Sequence, residues 1–223
     1  MKKVVIFPLA FLFLVGILFG GYSLLKLFSE KNILEQVISR FSSDSRIAEV
    51  IVTDVKGENS FNETFTTIKF VEYDAGQNAL PPKYFTFPGN IIQFQSLVIR
   101  FDDFYVRTKD RLKGKSLYFL WKVFMLKGSD TVEYEIIKVN EVPAGYKIKN
   151  TNNYFERKLW ERFWEYALNS SGQRKNGVKS AQIEAPGTRF IPGILYTLRI
   201  EHDGGIRIDT ENIPLILKGE RVL

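Results

Sequence analysis

Hydrophobic and polar positions follow three different rhythms along this chain. From Val4 to Leu25 there is no charged residue across 22 positions. A helix of that length rises about 33 Å, enough to cross the hydrocarbon core of a bilayer. Pro8 falls early in the run, where a missing N–H is tolerated. Gly16 and Gly20 are spaced as a small-residue packing pair, a pattern too common to argue dimerisation on its own. The run reads as a retained membrane anchor. The competing reading is a cleaved signal peptide, with Lys2 and Lys3 as its basic start and Gly21-Tyr22-Ser23 at the cleavage site. The apolar residues Leu24, Leu25, Leu27 and Phe28 continue past that site, which favours retention.

A second rhythm follows. Leu24, Leu27, Lys31, Leu34, Ile38 and Phe41 recur three and four apart, as on one seam of a stalk helix. The seam is shorter than the three to four heptads that define a coiled coil, so a homodimer through it is the lesser expectation. Ser42 to Ser45 ends the helix, because such side chains divert backbone hydrogen bonds into turns.

From Ile47 onward, period two takes over. Strands are expected at Ile47–Val55, Thr64–Tyr73, Tyr84–Phe87, Ile91–Phe101, Phe104–Arg107, Leu117–Leu126, Thr131–Val139, Ile194–Glu201 and Ile206–Asp209. Lys56 to Asn59 reads as the turn of a first hairpin. Pro88-Gly89-Asn90 reads as a type II turn, with Pro at the first corner and Gly at the second, joining Tyr84–Phe87 to Ile91–Phe101 as a second hairpin. Gly128-Ser129-Asp130 separates two more strands, and His202-Asp203-Gly204-Gly205 is a further hairpin signal. One helix interrupts the strands, capped by Asn152 or Asn153. Phe155, Leu159, Phe163 and Ala167, with Trp160, Trp164 and Leu168, form one broad apolar stripe, and Glu156, Arg157, Glu161, Arg162 and Glu165 lie mostly off it. The expected fold is mainly β (α+β): an antiparallel sheet, sandwich or partly closed barrel with one amphipathic helix packed on it. Three segments result: 1–25 as tail and anchor, 26–45 as stalk and linker, and 46–223 as the β-rich domain.

Composition narrows the chemistry. The chain has 45% hydrophobic residues and 19 Phe, so the domain can bury a true core. It has no Cys, which removes disulfides, thiolate metal sites and thiol nucleophiles. A domain of this size without Cys fits a bacterial envelope better than a disulfide-built secreted protein. The sequons Asn62-Glu63-Thr64 and Asn169-Ser170-Ser171 are short patterns of little weight. The formal net charge of +6 is a mild excess and does not point to nucleic acid. Lys2 and Lys3 set the N-terminus in the cytoplasm and the domain outside, although Lys26, Lys31, Arg40 and Arg46 pull the other way.

No motif commits the domain to a reaction, and no cofactor is called for. Gly114-Lys115-Ser116 resembles the end of a phosphate loop, but Lys109 stands where a second Gly is required and a strand follows where a helix is needed. His202 is the single histidine; with Glu201, Asp203 and Asp209 it could form a small acid/base group, although turn-forming residues at a hairpin tip explain the cluster more simply. Asp102 and Asp103 are adjacent, so on a strand they point to opposite faces. Lys109, Arg111 and Lys113 in one loop, and Arg174 and Lys175 in another, could meet an anionic partner. The expectation is therefore a membrane-anchored extracytoplasmic module of the bacterial inner membrane. Its lipid contact is Val4–Leu25, and its domain binds a protein or envelope polymer. A tethered enzyme built on the Asp102/Asp103 and Glu201/His202/Asp203 regions is the alternative.

Overall fold

The computed structural model describes residues 14–26, 28, 46–58, 63–74, 76–101, 116–147, 154–169, 178–201 and 205–214. The chain divides into two compact units, Met1–Ser39 and Arg40–Leu223.

In the first unit, residues 14–26 are helical. Among the described residues no helix is long and apolar enough to cross a membrane. The remainder of the expected span, and the stalk seam beyond residue 28, lie outside the described residues.

Among the described residues the second unit is mainly antiparallel β-sheet with one long helix, and no barrel closes. Its described strands are β1 (Arg46–Glu58), β2 (Glu63–Glu72), β3 (Lys83–Phe87), β4 (Ile91–Phe101), β5 (Ser116–Lys127), β6 (Asp130–Glu135), β7 (Val178–Glu184), β8 (Gly187–Arg189), β9 (Ile194–Ile200) and β10 (Ile206–Asn212). One sheet runs in the order β10-β9-β1-β2-β3. The other runs β6-β5-β4-β7, with β8 pairing β4 beyond the end of β7. Ala48, Val50, Ile68, Phe70, Phe85, Phe87 and Tyr196 from the first sheet meet Ile92, Phe94, Leu120, Val123 and Met125 from the second in one buried cluster. The unit is therefore a sandwich. Phe70 stacks on Phe94 across the two sheets, with ring centres 5.7 Å apart.

The middle of β4 and β5 is buried on both faces, from Leu97 to Ile99 and from Leu117 to Leu120. The outer face there is covered by the helix Tyr154–Leu168, whose Trp160 and Trp164 meet Phe119 edge-on. A β-bulge lets β5 serve both layers. The register steps from Gln95–Lys122 to Ser96–Leu120 and leaves Trp121 as the extra residue. One added residue flips the parity of a strand. Leu120 and Val123 consequently share the inner face despite their odd spacing, while Trp121 reaches Trp164 on the outer side.

The expected β1–β2 and β9–β10 hairpins form, and the two strands on either side of Gly128-Ser129 pair with each other as β5 and β6. Four expectations are corrected. Lys56 to Glu58 is no turn: β1 continues, pairing Lys56 with Phe65 and Glu58 with Glu63, because the ladder satisfies their backbone whatever their side chains. Pro88-Gly89-Asn90 does not close a hairpin: β3 pairs β2, whereas β4 pairs β5, β7 and β8. The three residues carry the chain from one sheet to the other, so that Phe87 and Ile92 fill the same core from opposite sides. Gly89 takes φ +145, not the roughly +80° of a type II corner. The strand expected to run to Val139 ends at Glu135, since the N–H groups of Ile136 and Ile137 turn to the carbonyl of the bulged Trp121. Glu156, expected off the apolar stripe, is buried, because it lies four and seven residues before Trp160 and Phe163 on one helix face. The expected strand Phe104–Arg107 and the caps Asn152 and Asn153 lie outside the described residues.

Candidate functional site

The two lateral openings of the sandwich are stitched. On one side the Tyr134 hydroxyl of β6 donates to the carbonyl of Thr86 on β3 at 2.7 Å, and its ring packs on Phe85 and Phe87. On the other, Glu184 of β7 accepts the edge N–H of Ile206 on β10 at 3.1 Å and pairs with Arg100 at 3.6 Å. Satisfying edge groups in this way blunts strand addition there.

A strap of residues 136–147 leaves β6 and ends in a single 3-10 turn, Ala144–Tyr146. It is tied at four points. The Ile136 and Ile137 N–H groups bond the Trp121 carbonyl. The Lys83 ammonium of β3 donates to the Ile136 carbonyl. The Trp164 indole N–H donates to the Glu141 carbonyl at 2.9 Å, and the Tyr146 hydroxyl donates to the Tyr118 carbonyl at 2.6 Å. Gly145 lies against the end of β2 so closely that an added Cβ would sit 3.0 Å from the Tyr73 carbonyl and 3.6 Å from Glu72 Oε1.

Glu72 is the titratable group beneath this turn. It pairs with Ala48 and follows Ile68 and Phe70 at alternate positions, so it belongs to the inner face of its sheet. Lys83 shares that face with Phe85 and Phe87. Burial pushes the Glu72 carboxyl up to about 7, and the Lys83 ammonium pulls against that rise. A carboxyl titrating near neutrality can take or give a proton under ordinary conditions. Sequence reasoning passed over it, although the alternation Ile68, Phe70, Glu72 placed a carboxylate on the apolar side of β2.

Of the residues singled out from sequence, Glu201 is described; it follows β9, and its N–H donates to the Gly205 carbonyl at 2.8 Å. Asp209 is on β10, where its carboxylate meets Arg199 at 3.2 Å and Arg207 at 3.0 Å, so it serves the sheet surface. Asp102, Asp103, Lys109, Arg111, Lys113, Arg174, Lys175, His202 and Asp203 lie outside the described residues. The strands that flank them reach one end of the sandwich: Ile200, Val98 and Tyr118 form a single small cluster with Ile47. Among the described residues no group of His, Asp and Glu is arranged to hold a metal ion. A shallow groove on the outer face of the first sheet is lined by Lys56, Gly57, Phe65, Thr67 and Thr86, with no acid/base pair in it.

No family model matches the chain, no curated protein matches its sequence, and no solved structure matches its fold.

Proposed function

We propose that this chain is a single-pass membrane-anchored protein whose β-sandwich is a non-enzymatic binding or scaffolding module on the extracytoplasmic side of a bacterial envelope. The observation that carries the anchor is the side-chain exposure of the N-terminal helix. Leu14, Val15, Ile17, Leu18, Phe19, Tyr22, Leu24 and Leu25 are all exposed; they cover most of the helix circumference, and the uncharged Gly16, Gly20 and Ser23 take the remaining side. A helix with no charged face between residues 14 and 25 has little to give to water, and lipid is the medium that satisfies it. The uncharged run extends from Val4 to Leu25 in sequence, which supplies a full span. Lys2 and Lys3 before it favour an inside N-terminus.

The binding role is supported by how the sandwich is filled. Aromatic and branched side chains occupy its interior, so recognition falls to loops and the outer faces. The partner class this favours is a protein or an envelope polymer.

The test is fractionation of the full-length chain with a C-terminal tag. The tag stays in carbonate-washed membranes and is lost when protease is added to spheroplasts. A soluble, shortened product refutes the anchor. A membrane-bound tag that resists external protease refutes the orientation.

A further inference from the structure

We propose that the strap 136–147 is a proton-controlled latch: it closes the mouth of the sandwich while the Glu72 carboxyl beneath it is protonated, and it lifts from the end of β2 when that proton leaves.

Three observations meet at this place. The start of the strap is rooted in the core by Ile136 and Ile137, which stay in place; beyond them it is held by discrete contacts and not by a ladder: Trp164 to the Glu141 carbonyl, Tyr146 to the Tyr118 carbonyl, and the Tyr146 ring against Trp160, after the Lys83 and Trp121 bonds at its root. A segment held by a few local bonds opens at lower cost than one within a sheet. The contact of the turn with β2 is a close approach made possible by Gly145, with Glu72 Oε1 and the Tyr73 carbonyl as its nearest neighbours. The surface under the turn is therefore built of a carboxyl and a carbonyl, both acceptors once the carboxyl ionises. Glu72 is in line with Ile68 and Phe70 on the inner face and is half-buried with the strap down, so its charge is only partly hydrated in that state. An ionised carboxylate in such a place gains by admitting water, and the move available to the chain is to raise the strap.

The charged and titratable surroundings are few. From β3 the facing group is Lys83, whose ammonium is committed to the Ile136 carbonyl. From β1 the paired residue is Ala48, which does not titrate; at the end of β2 Asp74 also lies against Gly145, with its carboxylate accepting from Gly76 and Asn78, and the strap itself carries Lys138, Glu141 and Lys147. Tyr146 anchors the strap to β5 through its hydroxyl. Burial places the Glu72 transition near neutral pH. Opening exposes the inner ends of β2 and β3 around Phe70 and Phe85, which gives the latch a surface to present.

Hydrogen exchange of the full-length chain in detergent, read by mass spectrometry, tests this. Peptides covering 136–147 are compared between about pH 6 and about pH 8 after correction for intrinsic exchange rates, with the β10 peptide Ile206–Asn212 as the reference. In the parent chain the strap loses protection by about tenfold across that interval while β10 does not change, the fold following the ionised fraction of Glu72. In Glu72→Gln, and in Glu72→Met should Gln disturb the fold, the strap keeps its protection at both pH values. Equal loss in the parent and both variants overturns the latch, as does a strap whose protection ignores pH in the parent. A loss shared by β10 assigns the effect to the whole domain and overturns it too.

Discussion

Trp160 and Trp164 are buried on the same face of one helix, yet replacing each by Phe should have different consequences. Trp164 donates its indole N–H to the Glu141 carbonyl at 2.9 Å and packs against Phe119 with ring centres 4.8 Å apart. Trp160 is equally buried, but its Nε1 has no hydrogen-bond partner among the described residues. Trp→Phe removes similar volume at both sites, a cavity cost of about 1–2 kcal/mol. At position 164 the change also deletes a hydrogen bond, worth about 1 kcal/mol net. At position 160 it removes a buried donor without an acceptor, which returns about 1–2 kcal/mol of desolvation penalty. Trp164→Phe should therefore destabilise by about 2–3 kcal/mol and Trp160→Phe by about 1 kcal/mol or less. Urea titrations followed by far-UV circular dichroism measure the difference without relying on the fluorescence of the residues replaced. A Trp160→Phe loss equal to or larger than that of Trp164→Phe would refute the reasoning, because it would mean that the Trp160 N–H is satisfied.

Two further outcomes are expected. In Gly187→Ala the new Cβ would stand 2.4 Å from Gln93 Cγ and 3.0 Å from the Ile92 carbonyl, so β8 must move off β4; a loss of about 1–3 kcal/mol in the urea midpoint is expected, and an unchanged midpoint would show that Gln93 alone gives way. Glu72 also links stability to pH: its folded pKa, raised from 4.5 to about 7, means that the folded state holds the proton more tightly than the unfolded chain, so stability falls as pH rises between those values and the full cost is present above about 7. Glu72→Gln should match the parent near pH 5 and exceed it near pH 8.5 by up to about 3 kcal/mol, the upper limit such a shift sets; a variant no more stable than the parent at the higher pH contradicts the burial of that carboxyl.

The amino-acid sequence by itself determined where most strands lie, because alternation at period two is a local property of each segment. It also marked the Tyr154–Leu168 helix and the turn at Gly128-Ser129, where Gly128 takes φ +63. Sheet membership was another matter. Pro88-Gly89-Asn90 has the composition of a hairpin turn, and only the packing of Phe87 and Ile92 into a common core from opposite sides makes it a crossing between sheets. The polar β7, Val178–Glu184, escaped pattern reading because an edge strand draws its stability from the ladder with β4, which no window of its own sequence contains. The bulge at Trp121 likewise answers to the helix on one side and the core on the other. The candidate site followed the same division. The inward parity of Glu72 could be counted along β2, but the strap that covers it comes from residues about seventy positions away in the chain, brought there by hydrogen bonds to Trp121, Trp164, Tyr118 and Lys83. Burial of a charge is a property of what is laid over it, and that was decided by the tertiary structure alone.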